Sequence, residues 1–264
     1  MRISHFFLLT LILFFVCFWW AGGNTVADNA TAKISETLKD KVNFPQQDPK
    51  QTEGISTFDR IYRVIALKSA VNNKLHTKNY AKLSNINNNL QQAIISVEDS
   101  RFYDHSGFDV SGILRASLVN LQYGHIEEGA STITQQLVKN LFLSQERSMT
   151  RKAEEVILAI DMEANYSKEE ILELYLNTIY FGSGYYGVSD AAAGYFGKLP
   201  SELSLAEASM LAGLPNAPSV YSPYVDFKAA KARQAIVLGT MVKNGYINPS
   251  LAEETKKTPI WLVK

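Results

Sequence analysis

The sequence predicts a mostly α-helical protein behind an apolar N-terminal segment, and three observations carry that prediction. Apolar residues recur at three- and four-residue spacing along much of the chain, as in Ile171, Leu172, Tyr175 and Leu176. Helix starts are marked by paired capping residues: Thr132 with Gln135, Ser167 with Glu170, and Ser204 with Glu207. No run of five or more residues alternates strictly between apolar and polar, so strands should be few.

Residues 1–23, MRISHFFLLTLILFFVCFWWAGG, run apolar from Phe6 to Ala21 with only Thr10 intervening. As a helix, Ile3 to Gly23 spans about 30 Å, enough for a bilayer core. Arg2 favours a cytoplasmic N-terminus, and Trp19 and Trp20 suit an interfacial belt. The segment reads as a transmembrane anchor or as a cleaved signal segment ending near Ala27, and either exports the rest of the chain. Residues 24–54 are polar, contain Pro45 and Pro49, and read as a stalk. Residues 55–264 form the predicted domain. In it Phe58, Ile61, Tyr62 and Ile65 open a helix, and the Asn-rich stretch Asn72–Asn89 reads as a loop. LQQAIISVEDSRF reads as a helix ending near Glu98. Asn248 followed by Pro249 is an N-cap with proline in the first turn. Ala229 to Val242 forms another helical stripe, and Pro259 marks the last helix end.

Lys plus Arg and Asp plus Glu balance at 26 each, so no global field draws nucleic acid. The single cysteine, Cys17, excludes an intramolecular disulfide, and the four scattered histidines offer no zinc-ligand spacing. Chemistry must come from local clusters. Glu98 sits at a helix end, where its charge opposes the dipole. It is either a surface residue paired with Arg101, or a carboxylate beside Phe102 and Tyr103 with a raised pKa, serving as acid or base. Asp99 and Asp104 read as loop or capping groups. From Ser131 to Gln136 three hydroxyls and two amides gather at a helix start, and Lys139 comes one turn on. Capping explains Ser131, Thr132 and Gln135 in part; a site for phosphate or sugar oxygens also explains Gln136 and Lys139. Arg147, Arg151 and Lys152 cluster where cations oppose a helix dipole, with Glu155 one turn from Arg151. They form a solvated helix end or a phosphate clamp. GSGYYG, Gly182 to Gly187, mimics a dinucleotide fingerprint but comes after a helix rather than a strand, so it reads as a turn that lets backbone pass close by.

Taken in order, these stretches resemble the peptidoglycan glycosyltransferases, the family of monofunctional enzymes and of the N-terminal domains of class A penicillin-binding proteins. EDxxFxxHxG falls on Glu98, Asp99, Phe102, His105 and Gly107. GxSTITQQ falls on Gly129 and Ser131 to Gln136, and RKxxE on Arg151, Lys152 and Glu155. KxxILxxYLNxxxxG falls on Lys168, Ile171, Leu172, Tyr175, Leu176, Asn177 and Gly182. RxxxVL falls on Arg233, Val237 and Leu238.

The resemblance implies a lysozyme-like helical domain. It also implies a smaller apolar subdomain against the membrane, between His105 and Gly129, with Phe108, Val110, Ile113, Leu114, Leu118 and Leu121 partly facing lipid. It implies polymerisation of lipid II into β-1,4 glycan by inverting transfer, with undecaprenyl pyrophosphate leaving. Glu98 would be the base and Glu155 the second carboxylate, ordering the cations or holding a metal. The implied substrate contacts are Asp99, Phe102, Ser131, Thr132, Gln135, Gln136, Lys139, Arg147, Arg151 and Lys152. By analogy with inverting hydrolases, the two carboxyls should stand at least about 6.5–9.5 Å apart. Tyr175 and Asn177 read as structural. No cofactor is required; Mg²⁺ or Mn²⁺ would accompany the diphosphate. The setting is the outer face of the cytoplasmic membrane, with penicillin-binding or divisome proteins as partners. Neither SxxK nor KTG occurs, so no transpeptidase activity is expected of these 264 residues. The rival functions are a glycan-cleaving lysozyme-like enzyme and a non-catalytic membrane scaffold.

Overall fold

The computed structural model describes residues 67–75, 79–123, 131–143 and 148–263, with backbone alone for 117–123. The N-terminal segment, the stalk, the Phe58–Ile65 pattern, Gly129 and Arg147 lie outside the described residues. Eleven α-helices are described: α1 (Leu67–Lys74), α2 (Asn88–Glu98), α3 (Val110–Tyr123), α4 (Ile133–Phe142), α5 (Met149–Asn165), α6 (Lys168–Thr178), α7 (Val188–Phe196), α8 (Leu205–Gly213), α9 (Pro218–Tyr221), α10 (Phe227–Lys243) and α11 (Pro249–Lys257). Among the described residues the only β-pairings are two isolated bridges, Ser106 with Phe108 and Tyr180 with Tyr186. The fold is therefore mostly helical. Among the same residues no helix is long and apolar enough to cross a membrane.

The capping chemistry read from the sequence sets the helix starts. Thr132, Ser167 and Ser204 each accept the backbone N–H three residues on, and Gln135, Glu170 and Glu207 reach back to the cap's own N–H. Asn248 caps α11 with Pro249 in its first turn. Ser148 caps α5 by accepting from the Arg151 amide. The Asn72–Asn89 loop needs correction at both ends. Helix α1 continues to Lys74 because buried Leu67 and Val71 anchor it, and α2 begins at Asn88 because the Asn87 side chain accepts from the Asn89 amide.

Two groups of helices make one core. Helix α8, almost wholly buried and rich in alanine, packs against both α2 and α10, which also pack on each other. Helix α4 packs against α5 and α6. Ile171, Leu172, Tyr175 and Leu176 are all buried, as their spacing requires. The GSGYYG stretch is a tight turn. Gly182 and Gly187 take positive φ, and a Cβ on either would meet the backbone of Pro218 or Asn177 within 2.8 Å, where only glycine fits.

Candidate functional site

Helix α2 ends at Glu98, where the chain turns into the loop carrying the first motif. Two of that loop's residues lock it to the second helix group. Asp99, buried, accepts the Ile133 amide at 3.0 Å and faces His105 Nε2 at 3.0 Å, so one carboxylate ties the loop to the start of α4. Gly107 has φ +88°, and a Cβ there would lie 2.8 Å from the Ala159 carbonyl carbon. Its own carbonyl accepts the Thr132 hydroxyl at 2.7 Å. The loop is thereby pressed onto α5 and α4 together. Phe102 is buried, with the Lys168 ammonium 4.5 Å from its ring centroid. Lys168 also pairs with Glu163 at 2.8 Å, and Glu163 accepts the Thr134 hydroxyl at 2.6 Å.

This frame fixes Glu98. The pairing with Arg101 does not form: Arg101 makes a two-pronged contact with Asp109 at 2.7 and 3.0 Å. Part of the Glu98 residue reaches solvent, but its carboxylate is turned inward. Oε2 accepts from Gln136 Nε2 at 2.8 Å, and Oε1 is buried with no hydrogen-bond partner. Burial pushes the carboxyl above the usual Glu range. The Gln136 hydrogen bond and the charges of Arg233 and Lys139 oppose that rise without cancelling it, and Asp99 adds to it. Desolvation, rather than the adjacent rings the sequence suggested, is the leading cause. Tyr175 joins the site through Gln136, its hydroxyl donating to Gln136 Oε1 at 3.1 Å. Asn177 stays structural, exchanging hydrogen bonds with the Ala81 backbone at 2.8 and 2.9 Å.

The cations form a second cluster on α5. Glu155 is only 2 % exposed and accepts from Arg151 Nη1 at 3.0 Å on one oxygen and from Lys152 Nζ on the other. Lys152 also reaches Ser131 Oγ at 3.4 Å, at the entrance to α4. Gln136 and Lys139 lie further along α4, so the cationic cluster and Glu98 are linked through one helix. Both Glu155 oxygens are engaged by cations. Among the described residues no group of three or more metal-type side chains gathers.

Several expected substrate contacts have other work. Asp99, Thr132 and Gln135 are buried; the Asp99 carboxylate and the Thr132 hydroxyl are engaged within the fold, and Gln135 Oε1 accepts the Thr132 amide at 3.0 Å. These three, with Phe102, lie in the frame that holds the site together. Ser131, Lys139, Arg151 and Lys152 retain surface toward solvent. Two residues bearing on Glu98 were missed as site residues, Arg233 and Tyr175, although both lie inside the RxxxVL and KxxILxxYLNxxxxG motifs. Arg233 Nε reaches the Gly213 carbonyl at 3.3 Å, and its guanidinium stands 5.7 Å from the Tyr221 ring centroid. A Cβ on Gly213 would come within 2.7 Å of the Arg233 Cγ.

The residues that build the site lie within a stretch of chain that matches known proteins. The family described as Transglycosylase matches residues 66–242. Penicillin-binding protein 1A of Neisseria flavescens is 48 % identical over 180 residues, covering 68 % of this chain and 23 % of that protein. The protein of the same name from Aquifex aeolicus is 42 % identical over 216 residues, covering 82 % and 29 %. That from Escherichia coli K12 is 50 % identical over 169 residues, covering 64 % and 20 %. This chain thus spans less than a third of the length of these relatives. The 2.6 Å crystal structure of penicillin-binding protein 1A from Haemophilus influenzae matches 50 % of this chain and 16 % of its own, at 33 % identity and a TM-score of 0.35.

Proposed function

The chain belongs to the transglycosylase family and is a glycosyltransferase, and from that premise we propose that it polymerises lipid II into β-1,4 glycan on the outer face of the cytoplasmic membrane. The observation that carries the proposal is the Glu98 carboxylate, with one oxygen held by Gln136 and the other buried without a partner. That is the disposition of a general base. In the proposed step the 4-hydroxyl of the acceptor GlcNAc attacks C1 of the donor MurNAc. Its proton passes to Glu98, the new C1–O bond forms with inversion, and the bond from C1 to the diphosphate breaks. Undecaprenyl pyrophosphate leaves with the bonding electrons. A diphosphate is a good leaving group, so charge stabilisation serves in place of a strong acid. Lys139, Arg151 and Lys152 supply it, with Arg147 proposed alongside them, and Glu155 holds Arg151 and Lys152 together. A Mg²⁺ or Mn²⁺ ion, if used, would accompany the substrate diphosphate.

The membrane setting is supported by the start of α3. Val110, Ile113 and Leu114 are 55 %, 40 % and 61 % exposed, an apolar group facing outward beside the site. The first 23 residues are proposed as the anchor, residues 24–54 as the stalk, and the remainder as a lysozyme-like catalytic domain. Incubating the protein with labelled lipid II, and separately with finished peptidoglycan, tests the reading. A ladder of long glycans from lipid II, blocked by a moenomycin-type phosphoglycolipid, is the expected result. Cleavage of finished glycan without polymer would identify a hydrolase instead, and no reaction with either would identify a scaffold.

A further inference from the structure

The two oxygens of Glu98 are unequal, and the amide that holds one of them has a second partner of its own. Gln136 presents its Nε2 to Glu98 Oε2 at 2.8 Å while its own Oε1 receives the Tyr175 hydroxyl at 3.1 Å. An amide is nearly symmetric in shape but has donors at one end and an acceptor at the other. Turned by half a rotation, Gln136 would set a carbonyl oxygen against the carboxylate. Tyr175 lies in the core on α6, fully buried, so its hydroxyl is a fixed reference point.

We propose that Tyr175 is a positioning residue for glycosyl transfer: by donating to Gln136 Oε1 it keeps the N–H end of that amide toward Glu98 Oε2 and leaves Glu98 Oε1 to receive the sugar proton. The proposal rests on the reading of Glu98 as the base. The groups bearing on Glu98 are Gln136 and Lys139 from α4, Arg233 from α10, Asp99 beside it in the chain, and Tyr175 from α6. Lys139, Arg233 and Asp99 act on it through charge, whereas the Tyr175–Gln136 pair selects one oxygen. Burial, with the nearby Glu98 and Asp99 charges, holds the Tyr175 hydroxyl well above its usual range, so it remains a donor throughout the working pH range. Donation into the amide carbonyl also polarises the N–H toward the carboxylate and supports the ionised form of Glu98.

The lost hydrogen bond sets the sign of the effect. Without the hydroxyl, ionised Glu98 loses support and titrates at higher pH, so the acid limb of kcat/KM for lipid II moves upward. The test uses the full chain in detergent with Tyr175→Phe, which removes one oxygen and keeps the ring. Between about pH 5 and pH 9, the limb should rise by roughly 0.5–1 pH unit. The loss is then about three- to tenfold below the limb, with recovery above it. Gln136→Met keeps the length without either polar end and should move the limb further the same way. It also carries the measurement if Tyr175→Phe lowers Tm substantially. A merely structural role would reduce the rate by one factor at every pH. An unmoved limb in both variants overturns the positioning role while leaving the base intact, provided Glu98→Gln is inactive. Full activity of Glu98→Gln would overturn the base reading itself.

Discussion

Glu155→Gln separates a carboxylate that orders the cationic clamp from one that merely sits near it. Wild-type Glu155 is buried between Arg151, whose side chain is 19 % exposed, and Lys152, at 41 %. Replacing the charge by an amide leaves two cations side by side, each having lost its counter-ion. Breaking a fully buried pair costs about 3–5 kcal/mol. Here Lys152 can swing into water and Arg151 partly so, and solvent screening reduces the expected loss to roughly 1–3 kcal/mol. For a domain of this size that lowers Tm by about 2–10 °C. The clamp should loosen as well, because Arg151 and Lys152 then repel each other instead of meeting on one carboxylate. Thermal unfolding gives the first quantity, and calorimetric titration with an undecaprenyl pyrophosphate analogue gives the second. Glu253→Gln is the control: its pairing with Lys256 lies on the surface, and its loss should leave Tm unmoved. Wild-type Tm together with wild-type diphosphate affinity in Glu155→Gln would refute the ordering role.

The geometry sets two further outcomes. Gly107→Ala would place a Cβ within 2.8 Å of the α5 backbone in a left-handed conformation. Conformational strain of about 1–2 kcal/mol and overpacking of about 1–3 kcal/mol should together shift the urea midpoint clearly downward, and an unshifted midpoint contradicts the contact. Glu98→Gln should raise Tm at neutral pH. The folded-state pKa of Glu98 lies above its unfolded value, so between the two the folded state holds the extra proton and stability falls as pH rises. The gain should therefore be largest above the folded pKa and should fade as pH falls below about 4. A Tm difference independent of pH, or of opposite sign at neutral pH, would show that the carboxylate is not destabilised by burial.

Local chemistry was the most legible part of the sequence. The capping boxes at Thr132, Ser167 and Ser204 form as read, since a cap depends only on residues three apart. The same box gives Thr132 and Gln135 a structural role at the start of α4. The Asn-rich stretch misled at its edges. Asparagine disfavours helix interiors, but Val71 buried against the core outweighs that preference in α1. In the site, Glu98 and the pairing of Arg151 with Glu155 were visible from motif and spacing. The actual partner of Arg101 was not, because Asp109 lies beyond a turn whose path depends on Gly107. Tyr175 looked structural because its spacing marks a core stripe, and it is in that stripe. Its hydroxyl acquires a second role only through Gln136, on another helix. Arg233 is marked by the RxxxVL motif, but its bearing on Glu98 is not, since that comes from the packing of α10 over Gly213.

The most direct measurement is the initial rate of lipid II polymerisation by Glu98→Gln, made alongside diphosphate-ligand affinity in the same preparation. General acid–base groups typically contribute about 10²–10⁴-fold, so the rate should fall at least about 100-fold while affinity and fold are retained. A folded variant that binds normally and polymerises within about tenfold of wild type would contradict the assignment of Glu98 as the base.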